Sequence, residues 1–237
     1  MKSTMRFTMK SAMKSTMKTL ARVAATAPLA VALLITSGVA SDKALAHAEV
    51  VSVSPTNGAV LAAPPSSVSI SFNEPVSTTA AKLQLVNSTG VVVKASFTAS
   101  RTSDRFTLTP KAKLAKGSYA VRYAVVSADG HIVTGASSFS VAMKPAAGSQ
   151  TVKVVASDAT TAQLNVGVSA GPMNVSHSLG QVVSIEFRHS KLAAPLTVSA
   201  VSPSSVVLPM KGEWSVTVVQ RVSSFKELRM VGKFTLR

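Results

Sequence analysis

From Glu49 to the C-terminus, apolar and polar residues alternate in short runs. VVSVS, SVSISF, KLQLV, RFTLT, YAVRYAVV and SSFSV are followed by QLNVGVSA, QVVSIEF, LTVSAV, WSVTVVQ and MVGKFTL, each bounded by Pro, Gly, Asn or Ser. A period of two puts every second side chain on one face, and runs of four to eight residues are strand length. The chain is therefore expected to be all-β. The first set of runs predicts an antiparallel sandwich or barrel of about 100 residues, closed by Met143. KPAAGSQ, residues 144–150, has the composition of a short linker, and residues 151–237 are expected to form a second, smaller β-sandwich. Aromatic residues make up only 5% of the chain, so both cores must be built from Val, Leu, Ile and Ala. Trp214 is expected to anchor the second core.

Residues 1–46 have a different pattern. MKSTMRFTMKSAMKSTMKTLAR carries a cation every few residues and is followed by VAATAPLAVALLITSGVA, apolar and ending in small residues. That is the layout of a secretory signal peptide with a long basic leader. The apolar core from Ala27 to Ile35 is well short of the roughly 20 residues that span a bilayer, so no transmembrane segment is expected in the mature chain. The mature protein is placed in the periplasm or outside the cell. Met1, Met5, Met9, Met13 and Met17 resemble a metal-binding array, but they would leave with the signal. Cleavage is possible after Ala40 or after Ala46, the second following an Ala-Leu-Ala match. Only the second gives a chain that begins at His47, where a free amine and an imidazole can chelate one ion together.

The formal net charge of +16 invites a nucleic-acid reading. Of 25 basic and 9 acidic residues, however, only 18 and 8 lie at or after His47, leaving +10. They are dispersed, without a basic run interleaved with aromatics, so a solvated basic surface is expected and no nucleic-acid partner. There is no cysteine, which excludes disulfides, thiolate zinc sites, iron–sulfur clusters and a cysteine nucleophile. Metal ligands must come from His, Asp, Glu, Met or the terminal amine.

Two of the four histidines, His47 and His131, belong to the first module. Asp129 precedes His131 by two positions in VVSADGHIVTG, and residues two apart in an extended segment face the same way. Asp-Gly is also a strong hairpin signal, so a turn carrying a surface histidine accounts for the dipeptide equally well. In the second module, His177, His189 and Met173 could form another site, but hydrogen-bonded or surface histidines are the simpler expectation.

HAEVVSVSPTNGAVLAAPPSSVSISFNEPV and GSYAVRYAVVSADGHIVTGASSFSV resemble the opening and closing segments of the CopC-type copper-resistance proteins. The shared features are an initial His-Ala, a Ser-x-Pro-x-x-Gly turn, a Phe-x-Glu-x-Val strand end, Gly-x-Tyr-x-Val and Val-Ser-Ala-Asp-Gly-His, in the same order from His47 to about Val141. The resemblance implies an Ig-like, Greek-key β-sandwich over 47–143 that binds one Cu(II) per chain. It implies His47, through amine and imidazole, with Asp129 and His131 as ligands. Three nitrogens and a carboxylate oxygen suit tetragonal Cu(II). Glu74 matches a family glutamate and is a candidate outer partner that orients a ligand. Once the signal is gone, Met143 is the first module's single methionine, so the Met-rich Cu(I) loop of some members is not expected. The second module more weakly resembles the C-terminal β-sandwich of copper-import fusion proteins, on GEWSVTVVQRVSSFKELRMVGKFTL.

The function implied is non-catalytic: copper buffering, resistance or delivery, with a membrane copper transporter as candidate partner. The alternative is a copper-dependent oxygenase with an N-terminal histidine site. That chemistry needs an open coordination position and an exposed, aromatic substrate surface. Asp129 would fill the position, and the first module offers few aromatics.

Overall fold

The computed structural model describes residues 48–237. The expected signal peptide, residues 1–46, and His47 lie outside the described residues. Every described element is a strand, as the alternation requires, and no helix among these residues is long and apolar enough to cross a membrane.

The first module contains β1 (Val50–Ser54), β2 (Ala59–Leu61), β3 (Val68–Phe72), β4 (Lys82–Asn87), β5 (Ala95–Ala99), β6 (Arg105–Pro110), β7 (Gly117–Val126) and β8 (Ile132–Val141). One sheet has the antiparallel order β1-β3-β6-β5, and the other pairs β4, β7 and β8, with β2 running parallel to the end of β8. Because β1, β3, β5 and β6 share one sheet and β2, β4, β7 and β8 the other, the chain crosses between the sheets after β1, β2, β3, β4 and β6. The crossings bury one core from both sheets, including Ile70, Phe72, Leu85, Phe106, Val121 and Phe139. Tyr123 lays its ring over Gly135, directly opposite on β8. A Cβ there would lie 2.0 Å from the phenol oxygen, so the glycine is required by packing. Burial raises the Tyr123 pKa above its ordinary value.

The second module contains β9 (Ser149–Ala156), β10 (Thr161–Gly167), β11 (Gly171–His177), β12 (Val182–Arg188), β13 (Leu196–Val198), β14 (Ser204–Leu208), β15 (Gly212–Ser223) and β16 (Lys226–Leu236). They form one path, β14-β11-β10-β9-β16-β15-β12-β13. All eight strands send one face into a single core around the fully buried Trp214. The indole nitrogen donates to the Met210 carbonyl at 2.9 Å, which satisfies its polar group.

The modules share a sheet, since β13 pairs in parallel with β8 at Leu196 and Ala136. Odd residues of β7 and β8 face the first core, whereas Val86 and Ala120 belong to the second core and Ala136 packs on it. Ser118, Ser138 and Ser140 on the same outward face are buried. Small side chains let the second module approach this sheet closely. Asn57 fastens the joint, donating to Thr197 O at 2.7 Å and accepting from Ser138 N at 2.9 Å. The connector read at 144–150 lends Ser149 and Gln150 to β9, whose partner β10 extends to Gly167.

Candidate metal centre

The β7–β8 hairpin turns through residues 127–131. Ser127 N donates to His131 O at 2.9 Å, and Gly130 N returns to Ser127 O at 3.0 Å. Gly130 has φ +85°, a conformation that glycine adopts without the strain a Cβ would bring. The turn aims two functional groups at each other: His131 Nδ1 lies 3.0 Å from Asp129 Oδ2. Asp129 Oδ1 accepts from the Ser127 hydroxyl and from His131 N, the latter at 3.2 Å. The Ser127 hydroxyl also lies 3.0 Å from the His131 carbonyl. Ser127 thus holds the carboxylate, and the carboxylate holds the imidazole. The Asp129 side chain is 12% exposed and that of His131 65% exposed, so a fixed anion supports a donor that solvent can reach.

The beginning of the described chain sits at the same end of the sandwich. Ala48 is buried in the first core. Asn73 fixes the next residue on both sides, accepting from Glu49 N at 2.8 Å and donating its own amide to Glu49 O at 3.0 Å. Four residues on, Ser77 N donates to Val126 O at 2.9 Å, at the foot of the hairpin. Residues 73–77 therefore tie the approach to residue 47 to the turn carrying Asp129 and His131. Within that tie, Glu74 buries Oε1 without a hydrogen-bond partner among the described residues, an arrangement that costs free energy unless a donor reaches it. No group of three or more His, Asp or Glu poised to hold a metal occurs among the described residues; His47 lies outside them. Ser127 and Asn73 were not singled out from sequence. Their signal was available, because both sit inside the quoted blocks, SADGH and FNEP.

The second module's histidines are engaged differently. Lys191 N donates to His189 Nδ1 at 3.1 Å, so Nε2 carries the proton and faces Lys211 O at 3.2 Å. The ring packs 4.9 Å from that of Trp214. Burial holds the His189 pKa below the ordinary imidazole value, and the nearby Lys191 charge acts in the same direction against the Lys211 carbonyl. His177 Nε2 faces Ala200 O at 3.2 Å, while Met173 is buried in the core.

Residues 50–142 match a family model, the CopC domain. Among solved structures, CopC from Methylosinus trichosporium OB3b is 33% identical over 40% of this chain and 93% of its own, with a TM-score of 0.38. PcoC, a methionine-rich copper resistance protein from Escherichia coli, is 26% identical over 40% of this chain and 99% of its own, with a TM-score of 0.37. The chain finds no match among curated proteins, and the family match ends before the second module. By the family match, residues 50–142 of this chain are a CopC domain.

Proposed function

We propose that this protein binds one Cu(II) outside the cytoplasm and serves copper buffering, resistance or delivery. The ligands in this reading are the amine and imidazole of His47, the Asp129 carboxylate and the His131 imidazole. The observation that carries it is the 3.0 Å approach of His131 Nδ1 to Asp129 Oδ2. Two donors each about 2 Å from one ion and at right angles to each other lie about 2.8 Å apart, so little movement separates this pair from adjacent corners of a tetragonal site. Ser127 orients the carboxylate in this scheme, and Glu74 accepts from a ligand at the start of the mature chain. A membrane copper transporter is the proposed recipient or source. The role in this reading is one of holding and handing over an ion.

Processing switches the site on in this scheme. A chain starting at His47 offers an amine and an imidazole that close one chelate ring, whereas a preceding residue converts the amine into a poorly donating amide. Protein starting at His47 is expected to bind Cu(II) at least about 100-fold more tightly than protein starting at Ala46, a loss at the upper end of those seen when ligands are misoriented. Equal affinities at one pH, with both proteins folded, would remove the amine from the ligand set.

A further inference from the structure

The acids of the first module are sorted along its strands, with Lys82, Arg101 and Arg105 lying at the same end as the acids. Its four acids, Glu49, Glu74, Asp104 and Asp129, gather at the Val126 end of β7. Asn73 binds residue 49, Phe72 N donates to Asp104 O at 2.7 Å, and Ser77 N donates to Val126 O. The opposite end, where β7 begins at Gly117, carries Lys94, Lys111, Lys113, Lys116 and Lys144, all exposed, on segments that flank the paired ends of β5, β6, β7 and β8. Ten residues of β7 separate the ends by about 30 Å, nearly four Debye lengths at physiological salt.

The second module extends this basic end. A cavity of about 330 Å³ is lined by Gly117, Ser118 and Met143 of the first module together with Lys191 and Lys211. These two lysines also line an adjoining cavity of about 560 Å³ with Arg188 and Lys233. Glu213, the single acid on that wall, is ion-paired to Lys233 at 3.1 Å. Beside the lysines lies the β4–β5 turn, clamped by Lys191 Nζ on Thr89 O at 2.9 Å. The turn leaves Val91 61% and Val92 44% exposed. Cations next to exposed apolar side chains are the pairing that a lipid headgroup region rewards. A nucleic acid would use the lysines but leave the valines in water.

We propose that this end of the molecule docks on an anionic lipid bilayer, with the lysines on phosphate headgroups and Val91 and Val92 in the acyl boundary. The bound orientation turns the Asp129–His131 end away from the bilayer, so a membrane transporter exchanges the ion with undocked protein or through a part that projects from the membrane.

The test is co-sedimentation of the purified protein with vesicles of phosphatidylglycerol and phosphatidylcholine in equal parts. Binding is expected to these vesicles, not to pure phosphatidylcholine, and to weaken with salt. Each lysine at an anionic surface contributes roughly fivefold. K111Q/K113Q/K116Q should therefore bind about 100-fold more weakly, while K82Q/R101Q/K226Q, with the same change in net charge elsewhere, should bind within about threefold of wild type. V91S/V92S should weaken vesicle binding several-fold and leave binding to a DNA duplex unchanged. All substituted positions are exposed, and matching circular dichroism spectra check the fold. Absence of wild-type binding at low salt, equal losses in the two triple variants, or V91S/V92S binding like wild type would each overturn the proposal.

Discussion

His131 and His189 are both imidazoles beside a tight turn, yet the fold uses them in opposite ways. His131 stands 65% exposed with an almost buried carboxylate at its Nδ1. His189 is 7% exposed, packs on Trp214 and has both nitrogens engaged by backbone groups. A ligand needs a donor that an incoming ion can reach and a second donor held nearby; a structural histidine needs both nitrogens satisfied. The surroundings, not the residue type, decide which histidine is open to an incoming ion and which is built to pack.

If the second module is a packed scaffold, its largest vulnerability is the core. Trp214→Ala should cost about 3–5 kcal/mol of stability, read by chemical denaturation. Copper affinity of the protein that remains folded should not change. A Trp214→Ala protein of unchanged stability would break the contrast.

The joint between the modules offers a smaller effect. Ser138 is fully buried on the outward face of β8, bonded to Asn57, which in turn bridges to Thr197 of the second module. Ser138→Leu should cost about 1–3 kcal/mol by overpacking, whereas Thr134→Leu, at an exposed position of the same strand face, should change stability by less than about 0.5 kcal/mol. Equal effects at the two positions would show that the joint is not tightly closed in solution.

Titration gives the smallest expected difference. The folded-state pKa of His189 is lowered, chiefly by burial. Below the ordinary imidazole value of about 6.5 the unfolded chain takes up a proton that the folded protein refuses. The contribution of His189 is therefore whole above that pH and shrinks as pH falls toward the lowered value. His189→Gln does not titrate, so the stability gap between wild type and this variant should narrow from pH 7 to pH 5. A constant gap would mean that the imidazole is not held neutral by its surroundings.

Much of this contrast was legible in the chain. Alternation located the strands that bury a regular face, such as RFTLT in β6 and MVGKFTL in β16, because period two and burial coincide there. It did not single out β5, which is almost wholly exposed, β2, which is three residues long, or β9, β11 and β14, although β9 alternates as regularly as β6. Nothing local to Ser118, Ala120, Ser138 and Ser140 says that these small residues are covered by another module. SADGH announced a turn, and the family blocks turned it into a candidate site. The gathering of Glu49, Glu74, Asp104 and Asp129 at one end escaped notice because it depends on strand register across 80 residues rather than on spacing.

Cu(II) titration, followed by electron paramagnetic resonance, of protein beginning at His47 tests the division of labour between the modules most directly. The account predicts one tetragonal, nitrogen-rich Cu(II) per chain. Asp129→Ala and His131→Ala should each lower affinity by about 10–100-fold, while His177→Gln and His189→Gln should leave affinity and spectrum unchanged. Wild-type affinity in Asp129→Ala and His131→Ala, or a copper signal lost on replacing His177 or His189, would contradict it.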